Sequence, residues 1–161
     1  MGRTLRSARP DDVTAIHALM RELAEYEKLT HLFVATPDDV RDALFGPHPA
    51  AECLVAERAA GIVGYALFFH NYSTFLGRRG LYLEDLYVQP SQRGLGLGKA
   101  LLQQIAGVAR ERGCARFEWT VLDWNAPSIA FYQSIGAQLK NKWTICRVSG
   151  AALAKLAQKD I

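Results

Sequence analysis

The chain predicts an α/β fold of the α+β kind, with one mixed, mostly antiparallel sheet flanked by helices. Three observations carry this. Two short apolar segments, 52–58 and 62–69, are separated by Ala59-Ala60-Gly61, the pattern of a hairpin. An apolar segment ending at Val88 runs into an arginine and three alternate glycines, and then into an amphipathic stretch. An alternating segment follows, so strand, helix and strand come in succession and one right-handed parallel crossover is expected. The 161 residues contain no repeat, linker or low-complexity run, which suits one domain over 1–161 with a sizeable core.

The elements follow in order. A first helix is expected from Asp11 or Asp12, either of which can cap it, to about Tyr26, with Val13, Ile16, Met20 and Leu23 on one face. A second has Thr36 as N-cap, Pro37 at its first position, Asp39 where a capping-box acid sits, and Gly46 at its end. The hairpin comes next, then a polar loop over 71–80 and a strand over 81–88. The helix after the glycines covers about 98–112, with Leu101, Leu102, Ile105, Val108 and Ala109 inward and Gly113 beyond its end. A strand over 114–122 alternates Phe117, Trp119 and Val121. Asn125 caps a helix with Pro127 in its first turn, closing at Gly136, before a last strand over 143–148 and a short helix after Ser149.

Composition narrows the function. Half the residues are apolar, no apolar run reaches the length of a membrane span, and the N-terminus has no secretory pattern. The myristoylation motif fails, since Arg6 stands where Ser or Thr is required. Cys53, Cys114 and Cys146 are odd in number and widely spaced, as expected of reduced thiols in a cytoplasmic protein. His17, His31, His48 and His70 have no metal-ligand spacing, so no metal is expected. A net charge of +3 with scattered basic residues gives no nucleic-acid footprint.

The glycine segment is the main lead. Strand, glycine loop and helix N-terminus together build a site for a phosphate group, because amides and helix dipole favour an anion and glycine admits it closely. The spacing excludes two familiar ligand classes. A dinucleotide fingerprint requires a third glycine three residues after the second, where this chain has Lys99 or Leu101. A P-loop requires Gly and Ser or Thr at positions where this chain has Arg93 and Ala100. What remains is R-x-x-G-x-G over Arg93-Gly94-Leu95-Gly96-Leu97-Gly98, followed by Lys99.

That motif resembles the acyl-CoA diphosphate loop of GNAT acetyltransferases, and the order of elements is similar to theirs along nearly the whole chain. Several stretches resemble the spermidine/spermine (diamine) and thialysine acetyltransferase branch: 22–27 (ELAEYE), 53–57 (CLVAE), 81–88 (LYLEDLYV), 121–125 (VLDWN) and Phe131-Tyr132 with Gly136-Ala137. The resemblance implies a GNAT-type sheet and acetyl-CoA as acetyl donor. Main-chain groups of Leu86, Tyr87 and Val88 would pair with the pantetheine arm. Amides from Gly94 to Lys99, beside Arg93, would hold the diphosphate, and Asn125, Ala126, Pro127, Ser128 and Tyr132 would line the cofactor's far side. It also implies a homodimer.

The chemistry would be transfer of acetyl to a primary amine. With an amine pKa near 10.4, roughly one molecule in 10³ to 10⁴ is neutral at pH 7, a deficit of about 4–5 kcal/mol. Carboxylates attract the cation and accept its proton, directly or through water. Taken alone, Glu84 reads as an exposed strand residue, Tyr132 as helix packing and Glu27 as a solvated helix end. The resemblance makes Glu84 the amine ligand and general base, Tyr132 the acid for the departing thiolate, and Tyr26 with Glu27 a second amine-binding point. Asp85 is adjacent to Glu84, though alternation points it to the opposite face. Glu118, Trp119, Thr120 and Trp143 fall beside the amine by the same resemblance.

The chain departs from the polyamine enzymes at two places. Acids expected before the 81–88 strand and before the late tryptophan are absent from 71–75 (NYSTF) and from Lys140-Asn141-Lys142-Trp143. A long polycation would find fewer partners there and some repulsion. This favours a shorter amine, such as thialysine, a lysine-like amino acid or a diamine. The segment 76–80, with Arg78 and Arg79, is an insertion relative to some relatives and would reshape the entrance. Acetylation of protein lysines or N-termini, and a catalytically silent acyl-CoA-binding regulator, stand as the alternatives.

Overall fold

The structure is a computed structural model that describes Gly2 and residues 4–158. These fall into two compact units, divided between Leu122 and Asp123.

The first unit is built on a five-stranded sheet in sequence order: β1 (Thr4–Ser7), β2 (Glu52–Arg58), β3 (Gly61–Ser73), β4 (Arg78–Val88) and β5 (Arg116–Trp119). The first four are antiparallel and β5 runs parallel to β4, as the crossover requires. The helices are α1 (Val13–Tyr26), α2 (Pro37–Phe45) and α3 (Leu97–Glu111). Cys53 and Val55 of β2, Tyr65 of β3 and Tyr87 of β4 share a buried cluster with Val13, Ile16 and Leu19 of α1 and Val40 and Leu44 of α2. Strand residues alternate, so Leu54 and Ala56 face the other way, on the side covered by Leu101, Leu102 and Ile105 of α3. Covering both faces explains the unbroken burial of Cys53 through Ala56.

The helix signals work as sequence chemistry predicts at α2. Thr36 Oγ1 accepts from the Asp39 amide at 3.2 Å and Asp39 Oδ2 accepts from the Thr36 amide at 2.7 Å. At α1 the expectation needs correcting. Asp12 stands at the N-cap position without capping the helix, because its carboxylate takes the Arg9 amide at 2.7 Å and both terminal nitrogens of Arg6 at 2.7 and 3.0 Å. Arg6 also donates to Glu57 at 2.9 Å. That network holds β1, which the sequence reading omitted because Thr-Leu-Arg-Ser carries one apolar residue and no strand-length pattern.

The expected loop over 71–80 is mostly strand. The β3–β4 ladder continues to Ser73 opposite Arg78, leaving a short turn with Gly77 at φ +60° and Phe75 fully exposed. Tyr72 faces Arg79 across the strands, so aromatic and arginine stems extend the pairing where polar composition suggested a loop.

In the second unit, α4 (Ala126–Ser134) and α5 (Gly150–Leu156) form as expected. The strand expected over 143–148 does not form. A strand needs a ladder, and among the described residues of this unit there is no second strand to supply one.

Candidate active site

The glycine loop joins β4 to α3 through a 3-10 turn at Pro90–Gln92. Gly94 and Gly96 take φ of +76° and +75°, a left-handed conformation that side chains disfavour. Gly96 is the N-cap of α3 and brings no side-chain cap, so first-turn amides stay available to an anion. Leu97 is buried and anchors the helix, while Gly94, Leu95, Gly96 and Lys99 are exposed and Gly98 is half-buried. An exposed, glycine-shaped rim of amides fits a diphosphate.

Next to this loop the sheet opens. The β4–β5 ladder stops at Leu83 opposite Trp119. Across β3, Phe68 pairs with Leu83 and Leu67 with Asp85, so Glu84 is the extra residue of a β-bulge. A bulge bends and twists its strand, which separates β4 from β5. From Asp85 to Val88, β4 keeps β3 on one side and has no strand on the other among the described residues. Leu86, Tyr87 and Val88 thus present a free edge of the kind an extended ligand chain pairs with.

Acids stand at and near the bulge. Glu84 is exposed and Asp85 is half-buried, and the two repel each other and Glu27 at the end of α1. Burial pushes the Asp85 carboxyl up to about 6, with repulsion from Glu84 and Glu27 adding to it and a hydrogen bond from Tyr65 working against it. The Tyr65 hydroxyl donates to Asp85 at 2.8 Å. Glu27 is raised by burial and by Glu84. Three carboxyls that raise one another's proton affinity favour the approach of a cation.

Glu27 is positioned by an unusual helix end. Lys28 takes φ +59°, and the Leu29 amide reaches back to the Ala24 carbonyl at 2.8 Å. This is the glycine-type helix stop with lysine in the glycine's place. Tyr26 lies under the guanidinium of Arg93, 5.0 Å from ring centroid to charge centre, with the Tyr87 ring 5.5 Å from the same group. Arg93 Nε donates to the Val88 carbonyl at 2.9 Å, so its side chain lies along β4 and against α1.

The other expected residues are more dispersed. Glu118 on β5 accepts from Asn71 at 3.4 Å and pairs with Arg116 at 3.2 Å. Trp119 packs on Phe117, 4.9 Å between ring centroids, and Thr120 lies just past the strand. In the second unit, Asn125 is buried and accepts from the Ser128 amide at 3.4 Å, capping α4 through Ala126 and Pro127 as the sequence predicts. Tyr132 stands on α4 with its ring 5.6 Å from that of Phe131. Trp143 is exposed and lies outside any strand.

Two residues of the site escaped sequence reasoning. Tyr65 sits in an apolar strand, where its one signal is that a buried tyrosine hydroxyl needs a partner. Glu22 accepts from Tyr87 at 2.9 Å and from Gln89 at 3.0 Å, and its spacing of four from Tyr26 puts both on one face of α1. Among the described residues there is no group of His, Cys, Asp and Glu able to hold a metal ion, and no helix is long and apolar enough to cross a membrane.

Comparisons with known proteins bear on the family and the fold. The profile of the Acetyltransferase (GNAT) family matches residues 14–137. A thialysine N-epsilon-acetyltransferase of Mus musculus is 39% identical, over 95% of this chain and 96% of that protein. An L-ornithine N5-acetyltransferase of Arabidopsis thaliana is 32% identical over 98% of this chain and 89% of its own length. Among solved structures, an integron cassette protein from the mobile metagenome of V. cholerae superposes with a TM-score of 0.83 at 26% identity, covering 99% of each chain.

Proposed function

The chain belongs to the GNAT acetyltransferase family, and from that premise we propose that it transfers acetyl from acetyl-CoA to the primary amine of a small molecule. The substrate class is thialysine, a lysine-like amino acid such as ornithine, or a short diamine. The observation that carries this reading is Glu84 at a β-bulge next to Asp85, within electrostatic reach of Glu27, in a strand that continues into a free edge and a glycine loop. A neutral acceptor would have no use for three mutually repelling carboxyls. The relatives named for thialysine and ornithine support the same class. The family profile spans the boundary at Leu122, which supports taking both units as parts of one acetyltransferase domain.

In this reading the loop amides from Gly94 to Lys99 hold the diphosphate of acetyl-CoA, and Leu86, Tyr87 and Val88 pair with its pantetheine arm. Asn125, Ala126, Pro127 and Ser128 line its other side. Glu84 is exposed where an amine arrives. It takes the ammonium proton, directly or through a water, so that the free electron pair can attack the thioester carbonyl. Tyr132 gives a proton to the departing sulfur. Glu27, Asp85 and Tyr26 hold a second charge or the remote end of the substrate, with Glu118, Trp119, Thr120 and Trp143 around it. The reading includes a homodimer in the cytoplasm, where the three free cysteines stay reduced.

Thiol release from acetyl-CoA, followed with thialysine, L-lysine, L-ornithine, putrescine, spermidine and a lysine-containing peptide, tests this reading. Turnover with one of the small amines is expected. Acetyl-CoA binding without thiol release from any acceptor would replace it with the silent regulator. Turnover confined to the peptide would replace it with protein acetylation.

A further inference from the structure

The arginine of R-x-x-G-x-G would serve its loop most simply as a cation beside the diphosphate. Its side chain is committed elsewhere. Arg93 Nε donates to the Val88 carbonyl at 2.9 Å, fixing the guanidinium to the end of β4. The planar group is then shared by two rings, Tyr26 at 5.0 Å and Tyr87 at 5.5 Å. The same two surfaces are tied again one turn earlier on α1. There Glu22 takes the Tyr87 hydroxyl at 2.9 Å and the Gln89 amide at 3.0 Å. Glu22 and Tyr26 are i and i+4 on the helix, so both straps leave one face of α1. Tyr26 directly precedes Glu27, whose carboxyl interacts with Glu84. Contacts thus run from the loop through Arg93 to Tyr26, the residue next to Glu27.

We propose that Arg93 is a positioning residue that couples the two halves of the site, locking the glycine loop to the end of α1 that carries Glu27. This rests on the reading of the loop as the acetyl-CoA site. The consequence is specific: a residue on the amine side, Tyr26, governs affinity for acetyl-CoA with no amine present. A guanidinium is suited to this task, since it hydrogen-bonds at its edge and stacks on its faces at once, whereas an ammonium does not. A cation–π contact of this exposure corresponds to about a two- to fivefold change in affinity.

Acetyl-CoA binding measured by calorimetry in the absence of amine tests the coupling. Tyr26→Leu is expected to weaken binding by about two- to fivefold. Tyr26→Phe, which keeps the ring, is expected to restore wild-type affinity. Arg93→Lys is expected to weaken binding as well, and Arg93→Lys with Tyr26→Leu to bind no more weakly than Arg93→Lys alone, since the contact is already lost. Thermal melts of each variant separate misfolding from a local effect, and the Tyr26→Phe rescue decides the matter if Tyr26→Leu is unstable. Unchanged acetyl-CoA affinity in Tyr26→Leu, or strictly additive losses in the double variant, would overturn the proposal and leave Arg93 a phosphate-side cation. A wild-type protein that binds no acetyl-CoA would instead overturn the reading on which it rests.

Discussion

A carboxyl buried among other carboxyls holds its proton more tightly than one in water, and Asp85 does so up to about 6 from an ordinary 3.8. The folded state therefore binds more protons than the unfolded chain between about pH 4 and 6. Stability falls as pH rises through that window, by at most about 3 kcal/mol for two units of pKa. Asp85→Asn should remove this cost while still accepting the Tyr65 hydroxyl. Urea unfolding should show the variant to be more stable than the wild type at pH 7.5 and equal to it near pH 4. An equal difference at both values would mean that the charge is not the cause. The residues proposed to react are predicted in the opposite sense. Glu84→Gln should leave stability nearly unchanged, since the side chain is exposed, and lower kcat/KM by about 10²- to 10⁴-fold. Tyr132→Phe should lower kcat by a similar factor with little change in amine KM, measured by thiol release. The acids stand out in the sequence only through the family resemblance, since taken alone Glu84 reads as an exposed strand residue and Glu27 as a solvated helix end. Tyr65 and Glu22 do not stand out, because their importance is created by partners 20 and 65 residues away along the chain.

Elements whose signals lie within a few residues were legible. The capping box of α2, the Asn125 cap of α4 and the left-handed glycines of the loop each form as their local chemistry dictates. Elements that depend on remote contacts were not. The strand β1 has little hydrophobic pattern and depends on Arg6, which joins it to Asp12 and to Glu57 on β2. Arg6→Ala should cost about 2–3 kcal/mol, because the largely buried Asp12 carboxylate loses its partner. Arg6 holds the Asp12 carboxyl below its ordinary range, so this stabilisation is present above the unfolded pKa. The difference between variant and wild type in urea should close as pH falls and Asp12 takes up its proton. The end of α1 offers a second test. Lys28 occupies a left-handed conformation that costs a side chain about 1–2 kcal/mol. Part of that strain returns as unfolded-state freedom when glycine replaces it. Lys28→Gly should therefore raise the melting temperature slightly, corresponding to about 0.5–1 kcal/mol. A lower melting temperature would show that the lysine side chain contributes more than the backbone strain costs.

At the scale of the whole molecule, the sheet order and the single parallel crossover follow from the sequence of elements. The 143–148 segment shows the limit of that reasoning. Its alternation suits a strand, but a ladder requires a partner that no local pattern supplies. The β4 bulge was also invisible, since an extra residue in one strand is defined only by the register of its neighbour. In the proposed reading, that bulge joins two familiar features, an anion loop and an acidic strand, into one site. The claim that follows is that a small cationic amine, free to reach three grouped carboxyls, is the acceptor. Its most direct test is the ratio of kcat/KM for free L-lysine or thialysine to that for the same side chain within a blocked peptide, at saturating acetyl-CoA. The account predicts that the free amine is preferred by about a hundredfold or more, the scale of losing two to three charge-assisted contacts. Equal values, or a preference for the peptide, would contradict it.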